Sequence, residues 1–114
     1  MTSMDDYEAH VARLFKRVGF QVDLLHAALG VTSEAGELAT SVKKHWAYLA
    51  PLDRENILEE LGDLMFYVAA LAQVCDFSLE QVVAHNVEKL SKRYPSGSYS
   101  NEQALNRADK DGDE

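Results

Sequence analysis

Apolar positions along the chain recur at helical spacing, and no segment alternates with period two through β-branched residues. Over residues 5–18, Tyr7, Val11, Leu14, Phe15 and Val18 share a face, and Gly19 is a natural stop. From Gln21 to Tyr48, Leu24, Ala28, Val31, Ala35, Leu38 and Val42 step by 4, 3, 4, 3 and 4, a seam of the kind that packs bundle helices. A third run, 54–75, begins behind Asp53 as N-cap and carries Leu58, Leu61, Met65, Val68 and Ala72 on one side. Beyond Leu64 its other side is apolar too, through Tyr67, Leu71 and Val74, which predicts a helix buried all round. A subunit this small rarely buries one helix completely, so the third helix is expected to pack against a second subunit. The fourth run, 79–94, opens with the Ser78–Gln81 capping-box pattern, holds Leu79, Val82, Val83, Val87 and Leu90, and stops at Pro95. Ser100 with Gln103 predicts a short last turn through Asn106. The expected fold is all-α, a four-helix bundle-like subunit forming one domain over 1–107, followed by an acidic disordered tail over 108–114.

Composition narrows the function. The chain has 114 residues, 46% of them hydrophobic, and a net charge of −8. An acidic chain of this kind is not expected to bind nucleic acid or an anionic membrane. No apolar run is long enough to span a bilayer, and the polar, acidic N-terminus MTSMDDYEAH does not read as a signal or transit peptide. Its single cysteine, Cys75, fits a reduced cytoplasmic setting and reads as apolar filler.

Against that background the acids are not random. SEAGEL carries Glu34 and Glu37; EELGDL carries Glu60 and Asp63. Each pair is spaced i, i+3 and converges on one patch of its helix. The short turn around Pro51 makes the two helices antiparallel. Glu37 lies ~16 Å from the end of one and Asp63 ~14 Å from the start of the other, so the pairs meet at one depth. A solvated acidic face is the bland reading. It fits poorly with Glu60 and Asp63 standing on the same side as Tyr67, Leu71 and Val74. Four gathered carboxylates need protons or a cation, and oxygen ligands favour hard ions such as Mg²⁺ or Mn²⁺. No His completes an ExxH pair in either motif, which argues against a di-iron bundle site. Glu59 points about 100° away from Glu60, as a surface acid would.

On the fourth helix Asn86, Lys89 and Arg93 form one inward edge of amide, ammonium and guanidinium, suited to a polyphosphate. A salt bridge from Lys89 or Arg93 to one of the many acids is the alternative. His26 and Lys44 lie within about 20° of Glu37 around the second helix, where they could line the same cleft, although a surface histidine is equally consistent. Trp46 and Phe66 could stack on a base or serve as core. Gly30 and Gly36 either admit a ligand or let helices pack closely.

SEAGEL and EELGDL, together with NVEKLSKRYP, resemble the MazG-like nucleoside triphosphate pyrophosphohydrolases of the all-α NTP pyrophosphatase superfamily, over roughly residues 25–95. The resemblance implies homodimers or homotetramers with bundles shared across the interface. It implies Mg²⁺-dependent hydrolysis of an NTP or dNTP to monophosphate and pyrophosphate. Glu34, Glu37, Glu60 and Asp63 would hold the metal, with Glu37 as candidate base, and Asn86, Lys89 and Arg93 would meet the phosphates. Two alternatives stay open: an enzyme dedicated to dCTP or dUTP, and a non-enzymatic helical partner-binding module.

Overall fold

The computed structural model describes residues 2–110. Among them the structure is all-α: helices α1 (Met4–Leu14), α2 (Phe20–Tyr48), α3 (Arg54–Val74), α4 (Leu79–Arg93) and α5 (Asn101–Asn106), then a 3-10 turn, Ala108–Lys110. The chain divides into two compact units, residues 1–78 and 79–114. No helix among the described residues is long and apolar enough to cross a membrane.

In the first unit α2 and α3 form a long antiparallel pair, and α1 lies against α3. Ser3 starts α1 with a complete capping box: its Oγ accepts from the Asp6 amide at 3.0 Å, and the Asp6 carboxylate accepts from the Ser3 amide. Val11 and Phe15 are buried, and Gln73 on α3 donates to the Glu8 carbonyl at 2.8 Å. The helix ends at Leu14, four residues before the end that the apolar spacing predicts. Asp23 explains the difference. Its buried carboxylate accepts from the Val18 amide at 2.9 Å, the Gly19 amide at 3.4 Å and Arg17 Nε at 2.9 Å. These bonds fold residues 17–19 back onto the start of α2, so they cannot continue α1. The same bonds, with the Arg17 charge, hold the Asp23 carboxyl below its usual range against the opposing effect of burial.

Helix α2 is closed by Leu49 in the left-handed conformation (φ 57°), while Asp53 caps α3 by accepting from the Asn56 amide at 3.0 Å. Across this turn Asn56 Nδ2 donates to Ser41 Oγ at 2.6 Å and fixes the register of the pair. The buried face of α2 runs through Asp23, Ala27 and Gly30, one residue earlier than the leucine seam of the sequence pattern. Small residues dominate these buried faces; on α3, Ala69, Ala70, Ala72 and Val74 are buried. The larger residues Val22, Leu25 and Leu29 of α2, and Leu58, Leu61 and Met65 of α3, stay exposed.

The second unit holds α4, α5 and the 3-10 turn. Ser100 caps α5 as its spacing predicts, its Oγ accepting from the Gln103 amide at 3.0 Å. Regular structure continues past residue 107 to Lys110, because Asp109 is bonded to Arg93 on α4. Residues 111–114 of the expected tail lie outside the described residues.

Candidate metal centre

Register brings the acids of α2 and α3 level. Glu34 is seven residues back from Ser41, and Asp63 is seven residues on from Asn56, the pair joined across the turn. Both distances are two turns, or about 10 Å. By the same count Glu37 is level with Glu60. One carboxylate oxygen each from Glu34, Glu60 and Asp63 lie within 4.8 Å of one another. Glu34 and Glu60 are half-buried and Asp63 is exposed. Glu37 is exposed and stands outside this group of three, although its charge reaches Glu60.

The donor set fits a hard divalent ion. All three donors are carboxylate oxygens, and Mg–O bonds of about 2.1 Å hold two ligand oxygens at most about 4.2 Å apart. Closing from 4.8 Å to that spacing needs only a small side-chain adjustment. Electrostatics point the same way. The carboxyl of Glu60 is raised above its ordinary range, first by burial and then by the negative charges of Asp63, Glu37, Glu34 and Glu59. A cation at this point relieves each of the charge contributions.

Helix α1 brings a group that the sequence pattern does not disclose. The Tyr7 hydroxyl is raised in pKa, first by burial and then by the charge of Asp63. Tyr7, Met4, Gly62 and Met65 help line an open groove of about 300 Å³ between α1 and α3, and Gly62 is next in sequence to Asp63. Nothing local to residues 5–8 signals this approach; it arises from the packing of α1 on α3.

His26 stacks on Phe15 with ring centroids 4.8 Å apart and meets the ring of Tyr67 edge-on at 5.8 Å. Lys44 is exposed, and so is Trp46, while Phe66 packs edge-on against Tyr67 at 5.3 Å. Gly30 packs against the Tyr67 ring, whereas Gly36 faces open space.

Asn86, Lys89 and Arg93 lie on α4, in the second unit. Asn86 is exposed. Lys89 is half-buried and lines a groove of about 160 Å³ with His85, Glu88, Lys92, Asp109 and Lys110. Arg93 is engaged by a two-point pair: its Nε donates to Asp109 Oδ1 at 2.8 Å and its Nη2 to Oδ2 at 3.2 Å. The Asp109 side chain is only 2% exposed, and Arg93 holds its carboxyl below the usual range. The salt-bridge alternative for Arg93 is therefore realised in this chain. Asp109 was not readable as its partner because sixteen residues of loop and helix separate them.

The sequence model of the MazG nucleotide pyrophosphohydrolase domain family matches residues 23–98, a span that contains both acidic pairs and the α4 residues. Gene 37 protein of Mycobacterium phage L5 is 37% identical over 78 residues, covering 65% of this chain and 68% of that protein. Uncharacterized protein YvdC of Bacillus subtilis (strain 168) is 35% identical over 92 residues, covering 70% of this chain and 74% of that protein. No solved structure matches the chain significantly.

Proposed function

Because the chain belongs to the MazG nucleotide pyrophosphohydrolase domain family, we propose that it hydrolyses a nucleoside or deoxynucleoside triphosphate to the monophosphate and pyrophosphate, with Mg²⁺ or Mn²⁺ as cofactor. The observation that carries this reading is the convergence of Glu34, Glu60 and Asp63 within 4.8 Å on facing helices. Those three residues would hold the ion, which when bound supplies neutralisation of the triphosphate and polarisation of a phosphoryl oxygen.

The chain's own residues supply the rest. Glu37, level with Glu60 but outside the group of three, is the proposed base: its carboxylate takes a proton from water as the water oxygen bonds to phosphorus. The bond from that phosphorus to the oxygen bridging the α and β phosphates breaks, and that oxygen leaves with the electron pair, on pyrophosphate when the α phosphorus is attacked and on the monophosphate when the β phosphorus is; the products are the same. Lys89 and Arg93 bind oxygens of the phosphate groups and offset the charge that develops there. Asn86 donates its amide to the same groups. For Arg93 this means exchanging the Asp109 carboxylate for a phosphate, an acceptor of the same charge sign and similar fork geometry. His26 and Lys44, on the α2 side, are proposed to contact the substrate.

A homodimer or homotetramer is part of the proposal. Leu25 is 61% exposed, Leu29 59% and Leu58 71%, and with Leu61 and Met65 they form apolar surface on α2 and α3 that a second copy would cover. A cytoplasmic setting, where free nucleotides are at hand, is also part of the proposal. The test is a panel of NTPs and dNTPs incubated with the protein, with and without Mg²⁺, and assayed for monophosphate plus pyrophosphate. Mg²⁺-dependent release from one or more substrates is expected, and turnover of dCTP or dUTP alone would identify the dedicated form. Absence of pyrophosphate release from every member, with Mg²⁺ or Mn²⁺ present, overturns the proposal.

A further inference from the structure

The close contact between Gly30 and Tyr67 lies next to the acids on both helices. Gly30 is one turn from Glu34 along α2, and Tyr67 is one turn from Asp63 along α3. Gly30 is buried, and a Cβ placed on it would overlap Cγ, Cδ1 and Cε1 of the Tyr67 ring. The ring thus lies flat against bare α2 backbone. It is also held from the side: His26, one turn before Gly30, meets it edge-on at 5.8 Å, and Phe15 stacks on His26 at 4.8 Å. Phe15 is itself buried, so the aromatic stack is anchored in the core.

We infer that Gly30 and Tyr67 are positioning residues: their contact sets the spacing of α2 and α3 at which Glu34 can share one ion with Glu60 and Asp63. This inference rests on the metal-centre reading above. Helix axes pack 8–10 Å apart, and a methyl group forced into a glycine contact widens that spacing by about 1–2 Å. Metal–oxygen distances tolerate only about 0.2 Å. Glu60 and Asp63 move together on α3, so the shift falls on Glu34, whose rotamers can absorb only part of it. Glycine at position 30 is costly in a helix, by about 1 kcal/mol relative to alanine, so its presence there is explained by the contact and not by helix formation. Gly36, which faces open space on the same helix, has no such role.

The test measures Mn²⁺ alone binding to the full chain by calorimetry, alongside helicity and thermal unfolding. Gly30→Ala is expected to weaken Mn²⁺ binding by about tenfold or more, as loss of a supporting contact does. Gly30→Ala combined with Tyr67→Ala replaces the ring by a small-on-small contact and is expected to recover affinity to within about threefold of wild type. Tyr67→Phe keeps the ring and is expected to bind as wild type. Should Gly30→Ala fail to fold, the double variant decides the matter: a folded double variant with near wild-type affinity supports the inference, and one that binds as poorly as an acid-to-amide variant overturns it. Wild-type affinity in a folded Gly30→Ala overturns the inference while leaving the metal centre intact. Failure of the wild-type chain itself to bind Mn²⁺ overturns the metal centre, and this inference with it.

Discussion

Glu60 and Asp23 are both acids on the first unit, and their environments push them in opposite directions. Glu60 is raised, by burial and then by its acidic neighbours, so the folded chain binds its proton more tightly than the unfolded chain does. Its contribution therefore declines as pH climbs from the ordinary glutamate range through the raised value, and the penalty is in place at neutral pH. Asp23 is lowered, by the Val18 amide foremost, so its contribution is present above the ordinary aspartate range and is lost as pH falls through the lowered value. Melting temperatures measured against pH should thus show Glu60→Gln gaining stability over wild type at neutral pH without divalent ion, and losing the stabilisation that Mg²⁺ gives wild type. Asp23→Asn should instead be destabilised at neutral pH and lose less on acidification. Equal Mg²⁺ stabilisation of wild type and Glu60→Gln would contradict the assignment. Glu37→Gln removes the proposed base but none of the three clustered ligands. It is expected to lower kcat by about 10²–10⁴-fold while Mn²⁺ affinity changes little, a split read by steady-state kinetics and calorimetry together. The acids themselves were legible in the sequence because i, i+3 spacing is a local property of a helix. Tyr7 and Asp109 were not, since each reaches its partner through packing of segments distant in the chain.

At the level of the helices, α2 and α3 were readable from apolar periodicity, the Asp53 cap and the breaks around Pro51. The end of α1 was not, because a side chain on the next helix, Asp23, takes the amides that would have continued it. The seam of α2 was displaced by one residue for a related reason. Periodicity favours the large aliphatics, whereas the buried face of α2 runs through Ala27 and Gly30, and Gly30 lies against the Tyr67 ring of α3. The two glycines of α2 now separate by role. Gly36→Ala meets no atom within 4 Å and should stabilise the chain by about 1 kcal/mol through helix propensity, measurable by urea unfolding. Loss of activity in Gly36→Ala without loss of stability would show instead that substrate passes over that backbone.

For the whole molecule, an α-helical chain whose largest exposed residues include leucines of both long helices is expected to self-associate. Sedimentation analysis should find a dimer or tetramer. Leu29→Lys, on the exposed side of α2, should shift it towards monomer with the helical content kept. A wild-type chain that sediments as a monomer at assay concentrations would contradict that expectation. The sequence pattern anticipates a partner for α3 through the all-round apolar segment beyond Leu64, whereas the exposed residues Leu58, Leu61 and Met65 lie on the helix's first apolar face. The central claim is more local: that Glu34, Glu60 and Asp63 share one divalent ion. Anomalous diffraction from crystals grown with Mn²⁺ tests it most directly. The account predicts a Mn²⁺ peak within about 2.2 Å of an oxygen of each of the three residues. Well-ordered acids with no peak among them, or a Mn²⁺ ion seated on other residues, would contradict it.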